Sequence, residues 1–173
     1  EDRLEKLRKI QKAGINPYPA AANRTVTAGE ARQKFTALSR ARKNLTLAGR
    51  IMSIRDQGGV IFCDMKDESG QIQAVLKKNS LPQFDFIKAV LDRGDFIAVS
   101  GSLFKTAKGE ESIEAKHLEI LAKSLLPIPT EWYGIEDIEM RLRKRYLEIL
   151  LDPEIKKLFE KKAAFWDAFR EFF

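Results

Sequence analysis

An aromatic ring, an amide and a guanidinium lie close together in one stretch of this chain, from Arg55 to Gln73 (RDQGGVIFCDMKDESGQIQ). The stretch has the pattern of two short strands joined by a turn. Alternation along each strand places Phe62 and Gln73 on the side opposite to the apolar residues Ile61, Cys63, Met65, Ile72, Ala74 and Leu76. A ring on the wet face of a sheet can stack on an unpaired base, while the amide and Arg55 hydrogen-bond to its edge. These residues favour a single-stranded nucleic-acid site. A surface Phe that packs under a loop is the structural alternative.

The composition permits a nucleic-acid partner and excludes several other kinds of site. Lys and Arg outnumber Asp and Glu by 31 to 25 in 173 residues, which gives a net charge of +6. With one His and one Cys, the chain has no zinc ligand set of the usual kind, no internal disulfide and no convincing Ser-His-Asp set. It also lacks an apolar run of membrane-spanning length and a glycine-rich phosphate loop. We therefore expect a soluble, cytoplasmic protein without a membrane partner. The first residue, Glu1, suggests a trimmed chain.

The chain before the strands is predicted to be helical. Residues 1–13 form an amphipathic helix that stops at Gly14, and the prolines of GINPYP (14–19) make a stiff connector. A capping-box pattern at Thr27 starts a second helix, which runs from Ala28 to about Leu38. Arg40, Arg42 and Lys43 follow, and we interpret these charges as a solvated face. Residues 1–43 are accordingly predicted as a helical extension.

From Asn44 onward the pattern changes to that of strands. Three strands, a helix that starts after Ser80 and two further strands are predicted, with the strands at 45–55, 60–66, 71–77, 95–105 and 112–121. This is the order of an OB-fold, a five-stranded Greek-key barrel that binds oligonucleotides. Gly49 and Gly101 lie inside long strands, where glycine allows the bends of a small closed barrel. The fold class is thus mainly β with flanking helices, and the barrel occupies residues 44–122.

The last predicted strand adds a carboxylate to the outward face. Glu114 alternates with the apolar Ile113 and Ala115, so it projects away from the core as Gln73 does. The alternation slips by one residue at His117, which indicates a bulge. His117 is interpreted as a structural or surface residue, and Cys63 as small core filling.

The end of the chain is predicted to be a linker followed by two helices. LLPIPTEWYG (125–134) is a proline-punctuated linker, and a helix with the basic cluster RLRKR runs from Glu136 to Leu151. Asp152 and Pro153 then act as cap and first residue of a final helix. That helix is rich in aromatic residues and needs a cover, which we expect beyond Phe173 or on another chain.

Several blocks of the sequence together resemble a known family. AGRIMSIRDQGGVIFCDMKDESGQIQ (48–73) and GDFIAVSGSLFKTAKGEESIEA (94–115) resemble the anticodon-binding barrel of class IIb aminoacyl-tRNA synthetases. LRKIQKAGINPYP (7–19) and KSLLPIPTEWYGIEDIEMRLRKRYLEIL (123–150) are most similar to the lysyl-tRNA synthetases within that family. The resemblance spans almost the whole chain.

The resemblance implies roles for residues of the barrel. Phe62 matches the aromatic residue on which the middle anticodon base stacks, and Gln73 and Arg55 match the amide and the arginine that hydrogen-bond to that base. Glu110 matches an acid of the lysine branch, and Glu114 matches the acid used in the aspartate branch. Alternation through Gly49 leaves the face of Arg55 undecided, and the turn at 56–59 is only partly like that of relatives.

The resemblance also implies a larger parent enzyme. Residues 123–152 would be a linker and helix, and 153–173 the start of a class II catalytic domain, truncated within its dimer-forming first motif. The parent would attach lysine to its tRNA with ATP and Mg²⁺, as a homodimer. We expect no catalytic residue, metal site or cofactor in this chain, which alone should not activate lysine.

Three other interpretations also fit the sequence. The barrel residues also fit an aspartyl- or asparaginyl-type synthetase. A free-standing OB-fold protein that binds single strands without preference for tRNA is a second alternative. In a third, the aromatic final helix makes an assembly surface that the barrel only supports.

Overall fold

A computed structural model of the protein describes residues 2–129 and 137–173. Contacts between residues divide the chain into two compact units, Glu1–Pro127 and Ile128–Phe173. The four-segment division predicted from the sequence stays a prediction.

Five strands of the first unit close into a barrel with the order β1-β2-β3-β5-β4. They are β1 (Leu45–Asp56), β2 (Val60–Lys66), β3 (Gln71–Lys77), β4 (Phe96–Lys105) and β5 (Glu111–Ala122). All neighbours pair antiparallel except β3 and β5, which pair parallel. The predicted five-stranded OB-fold is confirmed, with each strand end within one residue of its expected position.

The two faces of the β2–β3 hairpin separate as alternation predicts. The six predicted inward residues (Ile61, Cys63, Met65, Ile72, Ala74 and Leu76) are all buried. Cys63 has no exposed surface, and burial, helped by the neighbouring charge of Asp64, raises the pKa of its thiol to about 12. The interpretation of Cys63 as core filling is therefore confirmed.

Glycine allows two close backbone approaches in the barrel. A Cβ added to Gly101 would lie 1.8 Å from the carbonyl oxygen of Glu114. A Cβ at Gly49 would lie 2.9 Å from the carbonyl oxygen of Lys66. The pairing of β4 with β5 slips beside Gly101, because Ser100 pairs with His117 whereas Gly101 pairs with Ala115. The predicted bulge is thus confirmed, and its extra residue is Lys116.

Four helices accompany the barrel: α1 (Arg3–Lys12), α2 (Ala28–Gln33), α3 (Phe35–Arg40) and α4 (Phe84–Val90). The capping box at Thr27 is present, but the single helix predicted from Ala28 is wrong, because Lys34 interrupts it. Ala31 and Phe35 are buried on either side of the break and keep helical spacing, so the sequence pattern gives no sign of the break. Ser80 does not cap α4, since its hydroxyl donates to Glu114 instead.

The second unit contains α5 (Ile138–Arg143), α6 (Arg145–Leu151) and α7 (Pro153–Phe172). The predicted single helix from Glu136 is wrong in that Lys144 divides it, while Glu136 and residues 130–134 of the predicted linker lie outside the described residues. Glu148 accepts hydrogen bonds from Arg141 and Arg145 on the two sides of the break. These bonds use part of the basic cluster inside the unit.

The start of α7 agrees with the sequence. The Asp152 side chain accepts from the backbone N–H of Glu154, and Pro153 is the first helical residue. Large aromatic side chains remain exposed along α7 and at the residue that follows it (Phe165, Trp166, Phe169, Phe172 and Phe173). No helix in the described ranges is both long enough and apolar enough to cross a membrane.

Candidate nucleic-acid interface

A cleft of about 220 Å³ opens on the outer face of the barrel, beside the loop that joins β4 to β5. Its lining comprises Arg55, Gln57, Phe62, Gln73, Thr106, Ala107, Lys108 and Glu110. The structure therefore brings together four of the five residues predicted for the site and leaves out Glu114.

Phe62 and Arg55 lie side by side because of the strand register. Arg55 of β1 pairs with Phe62 of β2, and Phe62 pairs in turn with the buried Val75 of β3. Paired residues on neighbouring antiparallel strands project on the same face. The half-buried Phe62 thus lies between Val75 of β3 and Arg55 of β1 on this face of the sheet.

Alternation did not predict on which face of the sheet Arg55 lies. In the structure, an irregularity in β1 decides it. The pairing of β1 with β2 shifts between Ile51 and Ser53, so residues beyond that point change parity. Arg55 is exposed, and its guanidinium lies 3.6 Å from the carboxylate of Asp64. The guanidinium can therefore reach a planar group that lies on the Phe62 ring.

Gln73 is held in one orientation by hydrogen bonds at both ends of its amide. Its Nε2 donates to Oε2 of Glu110 at 2.9 Å, and its Oε1 accepts from the hydroxyl of Ser112 at 3.1 Å. A carboxylate can only accept, so the amide nitrogen must face Glu110 and the amide oxygen must face Ser112. One N–H and one oxygen lone pair remain available for a ligand.

The exposure predicted for Gln73 is wrong. Its side chain points away from the core, but only 4% of the residue is exposed. Alternation identifies the face of a strand but does not show that a loop folds over it. Here the β4–β5 loop covers Gln73 and leaves it at the floor of the cleft rather than on an open sheet.

Glu110 is positioned by a tight turn in the β4–β5 loop. Gly109 adopts a left-handed conformation (φ 81°), and its N–H donates to the carbonyl of Thr106. The Thr106 hydroxyl then accepts from the backbone N–H of Glu110. The turn directs the exposed Glu110 carboxylate back onto Gln73.

Glu114 lies apart from the cleft and is engaged elsewhere. One carboxylate oxygen accepts from Ser80, and the other lies 3.1 Å from the ammonium of Lys77. Burial raises the pKa of the Glu114 carboxyl, but the bonds from Ser80 and Lys77 outweigh it and leave that pKa below its ordinary value. Its partners therefore keep this carboxylate ionised and out of the site.

Sequence reasoning did not identify Ser112 and Asp64 as part of the site. Ser112 precedes the inward Ile113 and so belongs to the outward face by alternation, but nothing in its spacing shows that it pairs with Gln73 across the parallel β3–β5 ladder. Asp64 accepts a hydrogen bond from the hydroxyl of Ser53 and makes an ion pair with Arg55. An acid next to Phe62 on the outward face was the available signal for Asp64.

The residues of the cleft suit recognition rather than bond making. A ring, an amide, a guanidinium and a carboxylate can together bind a planar heterocycle by stacking and by hydrogen bonds to its edge. Among residues 2–129 and 137–173, no group of three His, Cys, Asp or Glu side chains is placed to hold a metal ion.

Comparisons with known proteins agree with this chemistry. Residues 45–125 match the tRNA anti-codon family, described as an OB-fold nucleic acid binding domain. The chain is 41% identical over 172 residues to the lysine–tRNA ligase of Carboxydothermus hydrogenoformans and 37% identical over 171 residues to that of Moorella thermoacetica. It is 35% identical over 176 residues to lysine–tRNA ligase 2 of Methanosarcina mazei. These alignments cover 98–99% of this chain but only 34–35% of each relative, so the chain spans about a third of their length.

Proposed function

We propose that this chain recognises the anticodon loop of a lysine tRNA. Its residues 45–125 match the tRNA anti-codon family of OB-fold nucleic acid binding domains. The observation that carries the proposal is the cleft, in which Phe62, Gln73, Arg55 and Glu110 meet around a space of about 220 Å³. Homology to lysine–tRNA ligases along nearly the whole chain supports the choice of tRNA.

Stacking on Phe62 supplies affinity in this proposal. The middle base of the anticodon lies on the exposed side of the ring, which Val75 supports from the neighbouring strand. Stacking of a base on an aromatic side chain contributes about 1–3 kcal/mol and tolerates any base. Selection of the base therefore has to come from the polar residues around the ring.

Gln73 supplies the selection because its amide cannot turn over. Uracil presents an N–H between two carbonyl oxygens, so it can donate to the Gln73 oxygen and accept from the Gln73 nitrogen. Arg55 can donate to a uracil carbonyl. Cytosine presents an acceptor and an amino donor at the corresponding positions, and the fixed amide opposes that pattern. Glu110 and Ser112 act here as positioning residues, because they hold the amide in the orientation that suits uracil.

The positions of the two acids favour a lysine-type anticodon over an aspartate-type one. Glu110, the acid matched to the lysine branch, lines the cleft and contacts Gln73. Glu114, the acid matched to the aspartate branch, is paired with Lys77 and Ser80 and does not line the cleft.

The activity of the whole protein is part of the same proposal. We infer that the parent is a cytoplasmic lysine–tRNA ligase that uses ATP and Mg²⁺, and that the regions which bind them lie in the two-thirds of the relatives that this chain does not match. The 173-residue chain alone is then expected not to activate lysine. The exposed aromatic side chains of α7 support a homodimer of the parent, because a surface of this kind needs a cover.

An RNA-binding measurement at one fixed salt concentration tests the proposal. Fluorescence anisotropy would compare an anticodon stem-loop that carries UUU with the same stem carrying a scrambled loop and with a loop whose middle base is cytosine. We expect tightest binding to UUU. Equal binding to all three RNAs would show a generic single-strand binder and would contradict anticodon recognition.

A further inference from the structure

A second groove of about 660 Å³ lies between α3 and the outer face of β4 and β5. Its lining comprises Ser39, Arg40, Arg42, Ser102, Leu103, Phe104 and Lys116. Three of these residues are cations and two carry hydroxyl groups. The groove thus combines positive charge with hydrogen-bond donors, as a phosphate site does.

All three cations of the groove are exposed residues. Within the part of the chain that the structure describes, none of Arg40, Arg42 and Lys116 has a carboxylate within ion-pair distance. A third cavity, of about 510 Å³, adjoins the cleft and differs in charge, because its lining has one cation, Arg32, against three carboxylates, those of Asp64, Glu110 and Glu111. The lining of the groove thus carries three cations and no carboxylate.

Two backbone irregularities direct cations into the groove. Lys116 is the extra residue of the β5 bulge, and bulges re-aim side chains. Arg42 follows the end of α3 with a left-handed backbone (φ 46°), at a position where helices usually place glycine. Arg42 is the only non-glycine residue with positive φ among the described residues. An arginine in this conformation carries a backbone cost that glycine would avoid.

The groove lies close enough to the cleft for one RNA strand to cover both. Gln73 pairs with Ser112 across β3 and β5, and Ser112 pairs with Phe104 across β5 and β4. Neighbouring strands are about 5 Å apart, so Phe104 lies two strands, or about 10 Å, from Gln73.

We propose that the groove binds the sugar-phosphate backbone of the RNA next to the stacked base, with Arg40, Arg42 and Lys116 on its phosphates. This inference rests on the proposed function, because it extends the path of the same RNA beyond the cleft. Contacts of this kind position an RNA without reading its sequence. The groove therefore supplies affinity for any anticodon loop, while the cleft supplies the choice among them.

The test replaces all three cations with glutamine (Arg40→Gln, Arg42→Gln, Lys116→Gln) and measures stem-loop binding by anisotropy from about 0.1 to 1 M salt. Loss of three phosphate contacts should reduce the slope of log affinity against log salt by about 2, at about 0.7 per contact. A slope change of 2 is a factor of about 100 for each tenfold change in salt. The variant should therefore match the wild type near 1 M and bind up to about 100-fold more weakly near 0.1 M. The ratio between UUU and scrambled loops should stay unchanged.

The matched control removes three exposed cations outside the groove (Arg8→Gln, Lys12→Gln, Lys161→Gln) and so lowers the net charge equally. An equal loss in this control would overturn the groove as a site and leave only a general effect of charge. A single variant, Arg42→Gly, guards against misfolding, since it removes the cation and suits the left-handed backbone. It should fold at least as stably as the wild type and still bind RNA more weakly.

Failure of the groove and failure of the cleft give different results. Unchanged binding by the triple variant beside weakened binding by Phe62→Ala would overturn the groove alone. The reverse result would overturn the stacking role of Phe62 and retain the groove. A wild-type chain that binds no RNA at any of these salt concentrations would overturn both.

Discussion

Two polar clusters in the first unit contain buried hydrogen-bonding side chains, but they use them differently. In the lysine cluster, Lys123 has no exposed side-chain surface, and its ammonium donates to the Val90 carbonyl at 2.7 Å, to Asp92 at 2.6 Å and to Asp95 at 2.8 Å. These bonds use all three ammonium hydrogens. In the cleft, Gln73 is almost as deeply buried but retains one N–H and one lone pair.

The difference shows that burial does not separate a structural polar residue from a binding one. What separates them is whether the hydrogen-bonding capacity is filled within the chain. The lysine cluster joins the end of β5 to the segment after α4, and Lys6 of α1 adds a bond to Asp92. It therefore connects three parts of the unit, whereas the cleft leaves capacity for a ligand.

The largest expected effect comes from opening the lysine cluster. Lys123→Met should lower the free energy of unfolding by about 3–5 kcal/mol, because it leaves the buried Asp95 carboxylate without its cation. Urea unfolding followed by circular dichroism measures the change. Lys78→Met is the control, since the pair of Lys78 with Asp85 is exposed and should matter by less than about 1 kcal/mol. Similar losses of unfolding free energy in the two variants would show that the buried, fully hydrogen-bonded lysine contributes no more to stability than the exposed one.

A smaller effect, on binding, is expected in the cleft. Phe62→Ala should weaken binding to the UUU stem-loop by about 1–3 kcal/mol through loss of stacking, as titration by anisotropy would show. Phe96→Ala removes another partly exposed ring of the barrel, whose face is covered by Arg50 at 4.4 Å, and should leave RNA affinity unchanged. If both variants bound RNA equally, the cleft would have no special part in binding.

The next effect concerns the preference for one base over another rather than the overall affinity for RNA. Glu110→Gln can donate as well as accept, so it no longer forces the orientation of the Gln73 amide. The preference for uracil over cytosine at the middle position should fall by up to about tenfold, within the ~1–3 kcal/mol that a good bidentate contact to a base contributes. Paired titrations with the two loops measure this ratio. Glu114→Gln should leave it unchanged, and a fall in that variant instead would assign the acid role to Glu114.

The smallest expected effect is a loss of folding stability at low pH. Burial raises the pKa of the Asp92 carboxyl, but hydrogen bonds from Lys123 and Lys6 outweigh it and place that pKa below the ordinary 3.8. When the pKa of a carboxyl is lower in the folded than in the unfolded state, the group stabilises the folded state at any pH above its unfolded pKa. This stabilisation is lost as the pH falls through the folded pKa. Unfolding between pH 7 and pH 2 should therefore show the contribution of Asp92 intact at pH 5 and declining as pH falls from about 4 through the lower folded pKa. Lys6→Met should reduce that loss, and an identical acid profile in this variant would contradict the assignment.

Local patterns were sufficient to predict the barrel. Alternation identified every inward residue of the β2–β3 hairpin, and the slip in alternation at His117 identified the bulge, because both features depend on neighbours in the chain. The helix breaks at Lys34 and Lys144 were missed. At Lys34, apolar spacing continues across the break and gives no local sign of it.

The candidate site was only partly predictable for a related reason. Phe62 and Gln73 belong to one hairpin, so local alternation places them together. The bond from Ser112 to Gln73 depends on the parallel ladder between β3 and β5, and the cover over Gln73 depends on the return of the β4–β5 loop to it, where Gln73 donates to Glu110. Both depend on contacts between residues more than 30 positions apart, which periodicity cannot report.

The burial of Cys63 has a practical consequence for measuring RNA binding. It is the only cysteine of the chain, and its thiol has no exposed surface and a pKa raised to about 12. Thiol reagents act on the thiolate, so the folded chain should resist them at neutral pH. A second cysteine introduced at the exposed Gln57 would then take up a maleimide dye alone, next to the cleft and without removal of the native residue. Reaction of Cys63 itself would report opening of the barrel.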